Sequence, residues 1–310
     1  MNLSRRLRRL FKNPLVLKDG LSRVRSWRAP LVVAVYLTLQ GLFAVLIVAA
    51  QLATSRHGWG YAQLGSTAFS ALVVVQLALV CLFAPALAAG AISGERERQT
   101  LDVLLVTLVS PLGIVWGKLV VSVAFILLLV TAALPVLATV FLFGGVDLEQ
   151  FLLCQLLILS TAMTLGAASL FLSALFRRTL LATVVAYGLA FAGTAGTWIV
   201  GTILTQITYI TRQPPRPGFS PDPHPLLWVN PIQAMVSVLS TPQAAPLPLS
   251  RTMQLLFLNP GTPVTGGPAI QLWQTTLLAQ LVLVALCIFG AVQLLHGRRL
   301  RLLLGRRPHS

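Results

Sequence analysis

Five charged residues crowd into one short stretch of this chain: Glu95, Arg96, Glu97, Arg98 and Asp102. Carboxylate and guanidinium groups form charge-assisted hydrogen bonds, which are about twice as strong as neutral ones. A mixed-charge cluster of this kind can insert into a complementary surface of another protein. These residues are therefore suited to binding another protein rather than to catalysis.

The residues that follow the cluster have helical periodicity. Leu101, Leu104, Leu105 and Leu108 recur at i, i+3, i+4 and i+7, which places them on one helix face. Pro111 suits the first turn of a new helix. We predict an exposed charged turn and a short helix within residues 95–109. The candidate contact residues are Glu95, Arg96, Glu97, Arg98, Thr100, Leu101, Asp102, Leu104, Leu105 and Pro111. A solvated connecting loop would explain the same residues, and the pattern alone leaves both interpretations open.

A second motif, at residues 113–119, does not predict nucleotide binding. A phosphate-binding loop has the form G-x-x-x-x-G-K-[ST], in which the hydroxyl binds magnesium. Here Gly113 and Gly117 are one residue too close, and Leu119 replaces the hydroxyl residue. The 3 cysteines and 4 histidines are scattered, so no metal-binding spacing occurs. We predict no catalytic residue and no metal site in this chain.

The elements that carry the charged stretch are apolar. All 23 Lys and Arg and all 7 Asp and Glu lie outside six uncharged runs. Those runs span residues 29–55, 57–94, 119–146, 150–176, 179–211 and 252–297. A bilayer core about 30 Å thick needs roughly 20 apolar residues of helix, so each run can cross once. The sequence predicts an all-α membrane protein with six transmembrane helices.

The basic residues predict its orientation. Of the 23 Lys and Arg, nineteen fall on one side of the predicted membrane and four on the other. Because cytoplasmic loops carry the excess of Lys and Arg, both termini are expected in the cytosol. The same rule accounts for the net charge of +16 without nucleic-acid binding.

The segments outside the spans fall into three groups. Residues 1–30 are predicted to form a cytosolic basic arm and an amphipathic elbow helix on the membrane surface. The six-span domain covers 31–295, with a proline-rich outer segment at 212–271 that holds 13 of the 19 prolines. Residues 296–310 form a basic cytosolic tail. The membrane-surface residues of the elbow are predicted to be Pro14, Lys18, Arg23, Arg25, Trp27 and Arg28.

Small residues recur along the fifth span. Gly188, Ala192 and Gly196 lie at i, i+4 and i+8, a spacing that lets helices approach closely. Packing within one chain and dimerisation both fit this pattern. In the outer segment, Pro231 is expected at the first turn of a short helix over 232–239.

The six uncharged runs contain no Asp, Glu, Lys or Arg by definition, and each is long enough for one span. Ion-driven transporters keep such groups in the membrane as relays and counter-ions. If this chain moves a substrate, the energy is therefore expected to come from another polypeptide.

The stretch E-R-E-R-Q-T-L-D-V-L-L-V-T at 95–107, followed by Ser110-Pro111 and Gly117-Lys118, resembles the signature of type-2 ATP-binding-cassette (ABC) permeases. Their pattern is roughly E-R-x-x-G-T-L-E-x-L-L-x-T-P, then G-K. Gln99 stands where glycine is common, and two extra residues precede Ser110-Pro111. Residues 13–19, N-P-L-V-L-K-D, are similar to the opening of the family's elbow helix.

This resemblance implies a permease subunit of an exporter that dimerises with itself or with a sibling chain. The 95–109 segment would be the coupling helix, seated in a cytosolic ABC ATPase that binds ATP and magnesium. Spans 1 and 5 would line the dimer interface, and the protein would reside in a bacterial inner membrane. Two other functions stay open: an ATPase-linked assembly or scaffold factor, and a self-contained secondary carrier.

Overall fold

A computed structural model describes residues 27–54, 61–106, 110–141, 143–212, 224–239 and 272–304. All regular structure within these residues is helical. The helices are α1 (Arg28–Thr54), α2 (Tyr61–Ala88), α3 (Ser93–Glu97), α4 (Leu101–Val106), α5 (Pro111–Ala132), α6 (Leu134–Phe141), α7 (Leu148–Leu175), α8 (Thr179–Phe191), α9 (Thr197–Arg212), α10 (Pro231–Leu239) and α11 (Leu272–Leu304). A π-helical turn (Ala192–Gly196) joins α8 to α9, and a 3-10 helix (Pro225–Val229) precedes α10.

Six of these elements are long and apolar enough to cross a membrane. Span 1 is α1, span 2 is α2, span 3 is α5 with α6, and span 4 is α7. Span 5 is α8 with the π turn and α9, and span 6 is α11. Each lies within or overlaps one predicted uncharged run, so the prediction of an all-α membrane protein with six transmembrane helices is confirmed.

Spans 2 and 3 each contain a proline, and the helix continues through only one of them. Proline inside a helix removes a backbone hydrogen bond, so a kink is expected at Pro85 and at Pro135. The helix α2 continues through Pro85 to Ala88, whereas span 3 breaks at Ala133 between α5 and α6. Pro135 follows this break within the first turn of α6, where a missing N–H costs no intrahelical bond.

Spans 2, 3 and 4 form the centre of the bundle. Half of the most apolar stretch of spans 2 and 4 is buried within the chain, against 11% of span 1. Polar side chains support the centre: Gln76 of span 2 and Gln155 of span 4 exchange two hydrogen bonds, at 3.3 and 3.2 Å. Spans 1, 5 and 6 are peripheral and present large apolar surfaces outward.

Span 6 packs most extensively against span 4. At Gly290 a Cβ would lie 2.7 Å from the ring of Phe171, which is shorter than real contacts allow. Glycine is thus required there for the two helices to approach. Span 6 thereby joins the central three helices although it lies far from them in sequence.

Asn230 is one of the residues that tie the segment between spans 5 and 6 to the bundle. Asn230 is buried, and its Oδ1 accepts hydrogen bonds from the backbone N–H of Ile232 (2.8 Å) and Gln233 (3.3 Å). Its Nδ2 donates to the carbonyl of Thr194 (2.7 Å) and to Oγ1 of Thr197 (2.6 Å). Asn230 therefore caps α10, which confirms the predicted helix, and ties α10 to the π turn of span 5.

Candidate functional site

The charged stretch forms two short helices where spans 2 and 3 meet. We call residues 93–106 the charged segment. Instead of one helix over 95–109, the segment contains α3 and α4, separated by a turn at residues 98–100; residues 107–109 lie outside the described residues. Gln99 has a φ of 59°, the left-handed conformation that favours glycine. This explains physically why glycine suits the corresponding position of the signature described above.

Arg96 closes the end of span 4. Its Nη1 donates to the carbonyl of Phe176 (3.0 Å) and its Nη2 to that of Ala174 (2.8 Å). The last carbonyls of a helix have no intrahelical donor, so a guanidinium satisfies them and also interacts favourably with the helix dipole. Nearby, Oγ of Ser173 accepts from the backbone N–H of Ile92 (3.0 Å) and Ser93 (2.9 Å). The start of α3 is thus fixed to the end of span 4.

Glu97 holds the beginning of span 5. Its carboxylate accepts from the backbone N–H of Thr179 at 2.7 Å and from the Thr179 hydroxyl at 2.8 Å. The first N–H groups of a helix need acceptors, and a carboxylate also favours the positive end of the helix dipole. Glu97 therefore acts as a cap that span 5 receives from another part of the chain.

Glu95 points the other way, toward span 3. Its Oε1 lies 2.7 Å from Nζ of Lys118, and the exposed fractions of the two side chains are 27% and 5%. A lysine near the end of a span can extend toward the membrane surface, but Lys118 is buried against this carboxylate. A charge buried to this degree needs such a partner.

The second half of the segment contacts span 6. Asp102 accepts from Arg298, with Oδ1 3.0 Å from Nη2 and 3.2 Å from Nε. Leu101 and Leu105 are fully buried in an apolar cluster with residues of spans 3, 4 and 6, such as Leu295. The charged segment is thus bonded or packed to spans 3, 4, 5 and 6 at one end of the bundle.

One side of the segment remains outward. Arg98, Gln99, Thr100 and Val103 are exposed, and Val103 exposes 71% of its surface. Within the described residues, the Arg98 guanidinium makes no ion pair. The turn at residues 98–100 and Val103 of α4 together expose a cation, two polar groups and an apolar side chain, which another protein can contact. We call these four residues the exposed turn.

Of the predicted contact residues, Glu95, Arg96, Glu97 and Asp102 make their bonds inside the chain, while Arg98 and Thr100 face outward. Leu101 and Leu105 are buried, and the side chain of Leu104 lies outside the described residues. Pro111 occupies the first turn of α5, and Oγ of Ser110 accepts from the N–H of Gly113 at 3.1 Å, as expected of a cap.

A family model described as "ABC-2 family transporter protein" matches residues 14–298. The match includes all six spans and the charged segment. The chain belongs to the ABC-2 transporter family. Among curated proteins, none matches it. Membership establishes a membrane component of an ABC transporter, and such a component implies a partner ATP-binding subunit.

The elbow of this ABC-2 family protein is described only at its end. Pro14, Lys18, Arg23 and Arg25 lie outside the described residues. Trp27 is exposed immediately before span 1, which begins at Arg28. Placement of the elbow on the membrane stays a prediction.

The small residues of span 5 do not form an even stripe. Gly188 and Ala192 are exposed, whereas Gly196 is partly buried. The π turn (Ala192–Gly196) inserts an extra residue into the helical repeat, so positions eight apart no longer share one face. An outward surface of Gly188 and Ala192 remains available to a second chain.

Sequence analysis missed the internal partners of the charged segment: Lys118, Ser173, Thr179 and Arg298. Periodicity cannot identify them, because each lies on a different span. One signal was present for Arg298, which is a basic residue at the end of an apolar helix, but many arginines share that context.

Proposed function

We propose that this ABC-2 family protein is the membrane-spanning subunit of an exporter driven by ATP hydrolysis on a separate cytosolic ATPase. The main support for this proposal is the charged segment. It has an exposed turn on one side, and other side chains of the segment form polar contacts with four spans. A displacement of that turn by a bound partner would reach spans 3, 4, 5 and 6 through short polar contacts. Coupling of this kind requires a two-state element that a ligand on another chain biases.

The proposed docking site contains fewer residues than the sequence alone indicated. Glu95, Arg96 and Glu97 are occupied by internal bonds, so the exposed turn offers the remaining contacts. The excess of basic residues supports placing this end of the bundle, and both termini, in the cytosol of a bacterium. ATP and magnesium would be bound by the partner, and export is the direction that family resemblance favours.

Docking can be tested by purifying tagged protein in mild detergent and quantifying the ABC ATPase that copurifies. Changing Val103→Asp with Arg98→Ala should reduce that ATPase about thirtyfold, since central contact residues contribute about 2 kcal/mol or more. Arg178→Ala removes an exposed charge at the same end of the bundle and should leave the ATPase bound. Retention of the ATPase by the double variant would refute docking at the exposed turn.

An ATPase-linked scaffold would pass the same test, because it needs the same docking surface. The two functions separate in proteoliposomes that contain the purified complex. A transporter should show ATP-dependent movement of a substrate and loss of that movement in the Val103 and Arg98 variant. A scaffold should hydrolyse ATP without moving any solute.

We also propose that two copies of the chain, or this chain and a sibling, associate through span 5. In a cysteine-free background, Ala192→Cys should form a disulfide-linked dimer under mild oxidation in native membranes. The matched control is Phe289→Cys, which lies on the exposed surface of span 6. Crosslinking that is no stronger at residue 192 than at residue 289 would count against this interface.

A further inference from the structure

A cavity of about 590 Å³ lies beside span 5, away from the charged segment. Span 4 forms its floor, spans 5 and 6 form its sides, and the 3-10 helix and the start of α10 form its roof. Spans 5 and 6 make little direct contact, so the cavity opens sideways between them. Leu189 and Leu283, one on each side, are largely exposed at this opening. The volume falls within the range of small-molecule sites, about 300–1,000 Å³.

The walls are apolar, and no described lining residue is an Asp, Glu, Lys or Arg. An apolar cavity of this kind does not hold water well. In a bilayer, a cavity that opens toward the lipid chains is accessible to an apolar chain. The lining therefore excludes a charged ligand group and accepts hydrocarbon.

Polar side chains between spans 4 and 6 indicate that a ligand should also carry a hydrogen-bond acceptor. Gln280 is 3% exposed; its Nε2 donates to Oγ1 of Thr161 at 3.0 Å, and its Oε1 accepts from the hydroxyl of Ser160. Thr161 in turn donates to the carbonyl of Leu157. An amide nitrogen has two hydrogens, and the second of Gln280 has no acceptor within the described residues. A buried donor hydrogen without an acceptor is costly, so an acceptor on a ligand beside Gln280 would be favoured.

The roof supplies a second donor. Nδ1 of His224 accepts from the backbone N–H of Leu226 at 3.3 Å. In the neutral imidazole, Nε2 then carries the hydrogen and can donate. Gln280 and His224 are thus two lining residues with an N–H group that can donate to an uncharged ligand.

We propose that this cavity binds an uncharged ester lipid, with an acyl chain between spans 5 and 6 and an ester carbonyl accepting from Gln280. A diacylglycerol is the simplest molecule with this chemistry. The proposal concerns binding to this chain and holds whether or not an ATPase docks on the exposed turn. Bulk phospholipid shares the acyl ester and differs in its charged headgroup.

The test uses the full chain in nanodiscs and a diacylglycerol whose acyl chain carries a diazirine. Photolabelled peptides are located by mass spectrometry. Label is expected in spans 4, 5 and 6 around the cavity, and excess unmodified diacylglycerol should compete it away. A diazirine phosphatidylcholine at the same mole fraction should label the cavity less. Equal labelling by the phospholipid, or no competition, would overturn the proposal.

Two variants test the geometry. Gly193 lines the cavity and has open space where a Cβ would lie, so Gly193→Leu should fill the cavity without a clash. Cavity labelling should fall about tenfold, as when two methylene groups lose their burial. Gly297→Leu also enters open space, at the far end of span 6, and should label like the unmodified protein. Equal labelling of both variants would overturn the proposal.

The polar contact is tested separately with an ether-linked diazirine analogue, which lacks the carbonyl. The unmodified protein should prefer the ester over the ether about fivefold, the effect of one hydrogen bond. Gln280→Met keeps a side chain of similar length and should abolish this preference. A preference that persists in Gln280→Met would overturn the assignment of the carbonyl to Gln280.

Discussion

Changing Glu95→Gln is expected to lower the free energy of unfolding by about 3 kcal/mol, because it removes the negative charge that the buried ammonium of Lys118 faces. Lys118→Met should have an effect of similar size, because it leaves the Glu95 carboxylate without its ammonium partner, and Oε2 of that carboxylate is buried and makes no hydrogen bond within the described residues. The measurement is unfolding of the purified protein by titration with SDS in mixed micelles.

The double variant Glu95→Gln with Lys118→Met provides the control. When both charges are absent, an ion pair buried in an apolar setting can be replaced at little net cost. The double variant should therefore be more stable than Glu95→Gln alone. If the two single effects instead add, the ion pair does not hold α3 to span 3 and the proposed coupling contact is wrong.

Changing Asn230→Ala should lower the free energy of unfolding by a similar amount, about 3 kcal/mol. Loss of the cap costs about 1 kcal/mol. The substitution also removes the hydrogen bonds from Nδ2 to the carbonyl of Thr194 and to Oγ1 of Thr197, at about 1 kcal/mol each. The same titration measures the total effect.

A second substitution separates the two roles of Asn230. Asn230→Ser keeps a capping oxygen for α10 but is too short to reach Thr194. Hydrogen exchange should then accelerate in the π turn of span 5 while α10 stays protected. Faster exchange in α10 alone would show that the asparagine acts only as a cap and does not stabilise the π turn.

The spans and the short helix after Pro231 could be predicted because their signals are local. The length of each uncharged run matches the thickness of a bilayer, and Pro231 is a residue type that favours the start of a helix. The division of the charged segment into α3 and α4 was harder to predict, because the left-handed backbone conformation occurs at Gln99 and glutamine does not favour it. The resemblance to a glycine-containing signature was the single hint of that turn.

What sequence analysis could not supply were pairings between remote residues. Glu95 and Lys118 are 23 positions apart, and Asp102 and Arg298 are 196 apart. Charges at the end of a helix bundle can pair in many ways, and packing of the apolar spans decides among them. The π turn had no signal of its own, because Ala192–Gly196 is compatible with a regular helix.

The position of α4 has a consequence for biosynthesis. Leu101, Leu105 and Asp102 are covered by span 6, which is translated well over a hundred residues later. In a nascent chain that ends before span 6, α4 would lack the helix that it packs against and would be exposed. If the ATPase docks on the exposed turn as we propose, its recruitment should await completion of the last span. A truncated membrane subunit would then bind no ATPase.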